Sequence, residues 1–174
     1  MAVIKKKGFT IVELIAAVAI ILLSLQAVTI AVTASSRMWK ISNNKLDVNT
    51  FNLSISQNIK NRGRSYLKDI YKATGTFAGS TMSFYIYFND NREITPYFEG
   101  SLKKDDGDFK FKFDSAGDFE SCKAKSDGEK YGALVTIKEK SDTDNYSVYE
   151  IDVTVWDLLN DGKYKSHSSF YIGG

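Results

Sequence analysis

From Phe9 to Ser36 the chain carries one ionisable side chain, Glu13, and no other feature of its 174 residues restricts the fold more. As a helix, Phe9 to Thr33 would run about 37 Å at ~1.5 Å per residue, enough to cross a hydrocarbon core of ~30 Å. Lys5, Lys6 and Lys7 stand directly before it. Basic flanks stay cytoplasmic, so the spacing predicts a single pass with the C-terminal part outside. A cleaved secretory signal fits less well. Its apolar core runs ~7–15 residues and ends in an Ala-x-Ala-like site. Here only Val32-Thr33-Ala34 and Ala34-Ser35-Ser36 approach that pattern. A plain anchor explains the length and the lysines but not Glu13. A carboxylate in an apolar span costs about 2.5–3.5 kcal/mol by insertion scales and by default marks a function with a partner. A position near the helix start lowers that cost, because the dipole there favours negative charge.

The residues around Glu13 form a composite pattern. Lys5-Lys6-Lys7-Gly8 is followed by Phe9-Thr10-Ile11-Val12-Glu13-Leu14-Ile15 and then the long apolar run. This resembles the class III signal of type IV pilins and pseudopilins: a short basic leader ending in Gly, then Phe, a carboxylate five residues into the mature chain, and an apolar helix. The resemblance covers roughly residues 4–33. It implies cleavage between Gly8 and Phe9 by a prepilin peptidase at the cytoplasmic membrane, with N-methylation of Phe9. It also implies an assembly role for Glu13, facing the Phe9 amine of a neighbouring pilin subunit in a helical filament. The helix would serve first as membrane anchor and then as filament core. Cleavage would remove three of the 23 basic residues set against 21 acidic ones, turning a side-chain balance of +2 into −1. Two departures stand out. Many major pilins have a proline in the apolar helix, whereas the only proline here is Pro96. Many pilins close a C-terminal loop with two cysteines, and Cys122 is the only one here.

Helical character continues beyond the membrane. Trp39, Leu46 and Leu53 recur every seven residues, Ile41, Val48, Ile55 and Ile59 lie on an adjacent stripe, and Phe51 joins them. Asn43, Asn44, Lys45, Asp47, Asn49 and Asn52 are among the polar residues that fill the rest. The pattern predicts an amphipathic helix with one apolar face, packed on a sheet and stopped near Gly63. Lys60, Arg62, Arg64, Lys68 and Lys72 then cluster with Tyr66 and Tyr71 between them. They read as a solvated helix end complementing the dipole, with polyanion binding (DNA or a surface polymer) as the functional alternative. Gly75 and Gly79 read as a loop into the first strand.

The rest reads as strands: 82–88, 109–113 entered by the Asp105-Asp106-Gly107 turn, 132–138, 146–156, and 168–172 after the Asp161-Gly162 turn. In 146–156 the face of Ile151, Val153 and Val155 should cover the helix. One long helix followed by antiparallel strands is an α+β fold, and the resemblance makes it pilin-like. The organisation expected, with the leader and filament core as the resemblance implies, is 1–8 leader, 9–35 membrane and filament-core helix, 36–62 amphipathic half, 63–174 globular sheet domain.

Residues 105–108 and 142–145 are acidic turns without the twelve-residue EF-hand spacing, so no metal is expected. Cys122 reads as unpaired in a polar stretch, and His167 as structural or exposed. No phosphate-binding, nucleophilic or hydrolytic motif occurs, so neither an enzyme nor a cofactor is expected. Lysine far outnumbers arginine and proline is nearly absent. With the missing cysteine pair, this favours a single-membrane bacterium and a pilus or competence filament over a secretion pseudopilus. The resemblance implies a minor pilin, working in assembly or at the tip and cell surface. The alternatives are a ligand-binding pilin for DNA uptake or adhesion, and a pseudopilin.

Overall fold

The computed structural model describes residues 10–74, 81–99, 111–113, 117–141 and 147–173. The fold is α+β. A long helix, α1 (Ile11–Thr74), precedes β1 (Thr81–Phe88), a 3-10 turn (Asn91–Glu93), α2 (Thr95–Phe98), β2 (Lys112–Phe113), α3 (Phe119–Ala124), β3 (Tyr131–Ser141), β4 (Ser147–Asp157) and β5 (Lys165–Ile172). The strands form one antiparallel sheet in the order β2-β1-β3-β4-β5. The chain divides into two compact units, Met1–Ser42 and Asn43–Gly174.

In the first unit the described residues are helical from Ile11 onward. Its large apolar side chains, from Ile11 through Val32, are all exposed. The helix is long and apolar enough to cross a membrane. Ser24, Thr29 and Thr33 donate their hydroxyls to the carbonyls of Ile20, Leu25 and Thr29, each at 2.8 Å. The helix therefore satisfies these polar groups internally, as a lipid-facing segment must.

The second unit has its own core. Val48, Phe51, Ile55 and Ile59 follow one another at helical spacing of three and four and are buried. They pack with Phe84, Ile86 and Phe88 of β1, Val135 and Ile137 of β3, and Ile151, Val153 and Val155 of β4. Alternation along β4 thus places the face expected to cover the helix. The other proposed stripe does not join it: Leu46 is 58% and Leu53 62% exposed. Two residues correspond to about 200° of rotation on an α-helix, so Leu46 and Leu53 point away from Val48, Phe51 and Ile55. Asn52 corrects the pattern in the opposite sense. It is buried, its Nδ2 donating to the carbonyls of Val153 (3.0 Å) and Ser166 (3.2 Å), while Oδ1 accepts from the Ser168 hydroxyl at 2.6 Å.

Gly63 breaks the helix, at φ 69° and ψ −166°, a conformation open to glycine and costly for other residues. It does not end it. Helical turns resume and reach Thr74, and Leu67 and Ile70, three apart, return to the core. The basic stretch that reads as a solvated helix end is therefore partly a core element.

The opposite face of the sheet is also covered. Tyr85, Tyr87, Leu134, Trp156 and Leu158 form a second cluster with Cys122, and Phe119 packs against it. The cover is α3, which strand and helix periodicity had not suggested because its sequence is mostly polar. Its start is set by Asp118, whose side chain accepts from the Ser121 N–H at 2.7 Å. Covering both faces explains why β1 reads as an unbroken aromatic run rather than an alternating one.

The remaining strands differ from the sequence expectation mainly in extent. β3 runs to Ser141, and β5 begins at Lys165, three residues early. Between β4 and β5, Asp161 and Gly162 both have positive φ, and the Lys163 N–H reaches the Asn160 carbonyl at 2.9 Å. That is the signature of a type I′ turn. Of the strand expected at 109–113, only 111–113 is described; its incoming turn, like Gly75, Gly79 and the acidic turn at 142–145, lies outside the described residues.

Candidate functional site

Gly8 and Phe9 lie outside the described residues; the site begins at Thr10. The Thr10 N–H and hydroxyl both donate to Glu13 Oε2, at 2.8 and 3.0 Å, and the Glu13 N–H reaches Thr10 Oγ1 at 3.3 Å. This reciprocal arrangement is a capping box. Thr10-x-x-Glu13 thereby satisfies helix-start donors that have no carbonyl partner. Glu13 has a local structural task, and both side-chain bonds fall on one of its two oxygens. The carboxylate is exposed at the end of an apolar helix.

The basic cluster is interrupted by the break at Gly63. Lys60 lies before the break at Gly63, with Nζ 4.5 Å above the Phe170 ring of β5, a cation–π contact. Arg62 and Lys68 are exposed on opposite sides of the break, and Arg64 is half-buried. Lys72 is helical, with its side chain outside the description. Tyr66, half-buried, packs on Phe98 at 6.4 Å between ring centres. Burial pushes its phenol up to about 12 against the opposing charge of Arg62, and its hydroxyl is buried without a hydrogen-bond partner. A ring committed to the domain in this way is not an open platform for base stacking.

A concavity of about 460 Å³ lies between the 3-10 turn, α2 and the approach to β3. Tyr87, Pro96 and Tyr97 supply apolar wall, and Glu93, Asp127, Glu129 and Lys112 supply charge. Three of its charged groups are engaged in local structure. Glu93 accepts from the Asn89 N–H and Glu129 from the Asp127 N–H, while Lys112 donates to the Lys125 carbonyl. The Tyr97 hydroxyl donates to the Tyr87 carbonyl at 2.8 Å. Burial raises both phenols, with Glu129 adding to the effect.

Across β3, β4 and β5 runs an ionic ladder. Lys138 meets Asp152 at 3.0 Å, Lys140 meets Glu150 at 3.1 Å, and the Tyr171 hydroxyl donates to Glu150 at 3.0 Å. The bonds from Lys140 and Tyr171 hold Glu150 below the usual carboxylate range. Burial is the largest single influence on Asp152 and pushes it up, but Lys138, Ser169 and His167 together outweigh it, and the net shift is down. His167 is exposed, with Nδ1 3.0 Å from the Thr154 hydroxyl. Cys122 is fully buried rather than lying in a polar surface stretch, and burial pushes its thiol up to about 12. A neutral, enclosed thiol is a packing group, not a nucleophile.

Among the described residues, no three of His, Cys, Asp and Glu come together to hold a metal ion. Compared with known proteins, the chain matches no family model, no curated protein and no solved structure.

Proposed function

We propose that this chain is a pilin-like subunit of a type IV filament, a minor pilin acting in assembly or at the tip, with a structural rather than enzymatic task. The observation that carries the reading is the exposed apolar helix from Ile11 to Val32, entered through Thr10 and Glu13 and preceded in sequence by Lys5-Lys6-Lys7-Gly8-Phe9. Such a surface needs a cover that the described residues do not supply. Lipid serves before assembly and the helices of other subunits serve afterwards. Prepilin peptidase would cut before Phe9, and the new amine would meet Glu13 of a neighbour. The ligand-binding alternative would run through Lys60, Arg62, Arg64, Lys68 and Lys72, which stand on both sides of the Gly63 break.

The test is the N-terminal residue and intact mass of the protein recovered from its native cell surface. A chain starting at Phe9 with the mass of one added methyl is expected. A start at Met1, or a cut near Ser36, would overturn the reading. The same recovery on Glu13→Gln separates the two tasks of Glu13, since glutamine preserves a capping box but carries no charge. Retained processing with lost incorporation is expected. Normal incorporation would leave Glu13 a cap alone.

A further inference from the structure

In the apolar helix every described polar side chain between Thr10 and Thr33 but one is satisfied within the helix. Glu13 is held by Thr10, and Ser24, Thr29 and Thr33 by carbonyls one turn back. The exception is Gln26, which is exposed and makes no hydrogen bond among the described residues.

Its depth makes this matter. Thr10 to Trp39 spans about 44 Å at ~1.5 Å per residue, close to the ~40–45 Å of a bilayer with its headgroups. Arg37, Trp39 and Lys40 are exposed at the outer end, residue types that settle at the interface. Gln26 then falls about 24 Å from Thr10, within a few ångströms of the midplane. From there its side chain cannot snorkel to the headgroups, unlike a group near a helix end. A primary amide without a partner in hydrocarbon is costly to keep.

The residues beside Gln26 have the form of a helix–helix seam. Leu22, Leu25, Gln26, Thr29 and Ile30 bound a shallow hollow, and a second one continues through Thr33 to Arg37. Leu22, Gln26, Thr29 and Thr33 follow at steps of four, three and four, the spacing of left-handed helix pairing. Two threonines keep the seam narrow enough for close approach.

We propose that Gln26 pairs two copies of this chain in the bilayer, amide to amide, along the Leu22–Gln26–Thr29–Thr33 seam. A second copy fits better than a different partner. The lysines before the span give every copy the same orientation, so Gln26 of each lies at the same depth. An amide carries both donors and an acceptor, so the same residue satisfies itself across a two-fold axis.

The proposal rests on the membrane span and not on incorporation into a filament. The experiment uses the full chain. Flotation with phosphatidylcholine vesicles establishes insertion, and sedimentation equilibrium in density-matched phosphocholine-detergent micelles measures self-association. Wild type is expected to dimerise, Gln26→Leu to dimerise about tenfold more weakly, and Gln26→Asn to retain most of the association. Failure to float would overturn the span and the pairing together. Flotation with a monomeric wild type, or with Gln26→Leu dimerising as well as wild type, would overturn the pairing alone.

Discussion

Two stretches of α1 use the same residue types to opposite ends. Between Ile11 and Val32, isoleucine, leucine and valine surround the helix and all are exposed. Between Val48 and Ile70, apolar residues at three- and four-residue spacing are buried on one face, and the rest of the helix is polar apart from Leu53. Secondary structure does not distinguish these stretches; the location of the hydrophobic partner does. The second stretch finds it in β1, β3 and β4 of its own chain. The first has no apolar partner among the described residues, and under the proposed function it takes one from a bilayer or from other helices. The polar residues follow the same division. Ser24, Thr29 and Thr33 turn inward to their own helix, whereas Asn52 reaches across to β4 and β5.

The comparison breaks most directly under truncation of one apolar residue from each region. Phe84 is fully buried, 4.3 Å from Phe111 between ring centres. Phe84→Ala should cost the domain about 3–5 kcal/mol. Leu22→Ala removes a residue that touches no core and should leave domain stability within about 0.5 kcal/mol of wild type. Urea unfolding of both variants in detergent, followed by the near-ultraviolet signal of buried aromatics, measures the contrast. A comparable loss in Leu22→Ala would mean that the exposed stretch is part of the folding unit after all.

Asn52→Ala tests the polar half of the comparison with a smaller effect. It removes the donor to one buried and one partly buried carbonyl and the acceptor of Ser168. Leaving buried groups unpaired costs about 1–3 kcal/mol. The same substitution at Gln26 should not lower domain stability, because that amide has no partner among the described residues. An Asn52→Ala variant as stable as wild type would show that the helix is held to β4 and β5 by apolar packing alone.

Asn52 also marks the limit of what periodicity reveals. The strands of the sheet were legible from runs of aromatic and β-branched residues, and the core face of β4 from strict alternation. The helix was legible from its apolar spacing. Periodicity sorts residues by polarity, so it places a buried asparagine outside and an exposed Leu46 or Leu53 inside. It also misses α3, which contributes only Cys122 and Phe119 to an apolar cluster; the available signal was the Asp118 cap, not a stripe. Gly63 was legible as a break but not as an interruption, because the return to the core depends on just Leu67 and Ile70. At the candidate site, the Thr10-x-x-Glu13 spacing was itself a capping-box motif. In the sequence, Glu13 is explained through the helix dipole and an implied assembly role, and the reciprocal bonds add a local partner that neither requires.

The smallest expected effect concerns the ionic ladder, the exposed counterpart of the buried sheet faces. Glu150 and Asp152 titrate below their ordinary values of 4.5 and 3.8 in the folded chain. Protons therefore bind the unfolded chain more readily, and the ladder's contribution is present above those values and lost as pH falls through the lower folded ones. Lys138 and Lys140 are raised above 10.5 by their carboxylate partners, so their contribution is full below 10.5 and lost as pH rises through the folded values. Cys122 adds to the alkaline loss, since its thiol ionises from 9.0 in the unfolded chain but only near 12 when buried. The lysines are exposed and the carboxylates partly so, so the ladder's share of each limb should be shallow and should flatten in high salt, whereas the alkaline loss from Cys122 and from the phenols of Tyr66, Tyr87 and Tyr97, set by burial, should persist. Urea midpoints across pH for wild type and Glu150→Gln separate the sources. The variant should keep the alkaline loss from Cys122 and lose part of the drop below pH 4.5. An acid limb unchanged in Glu150→Gln would place the acid sensitivity elsewhere in the domain.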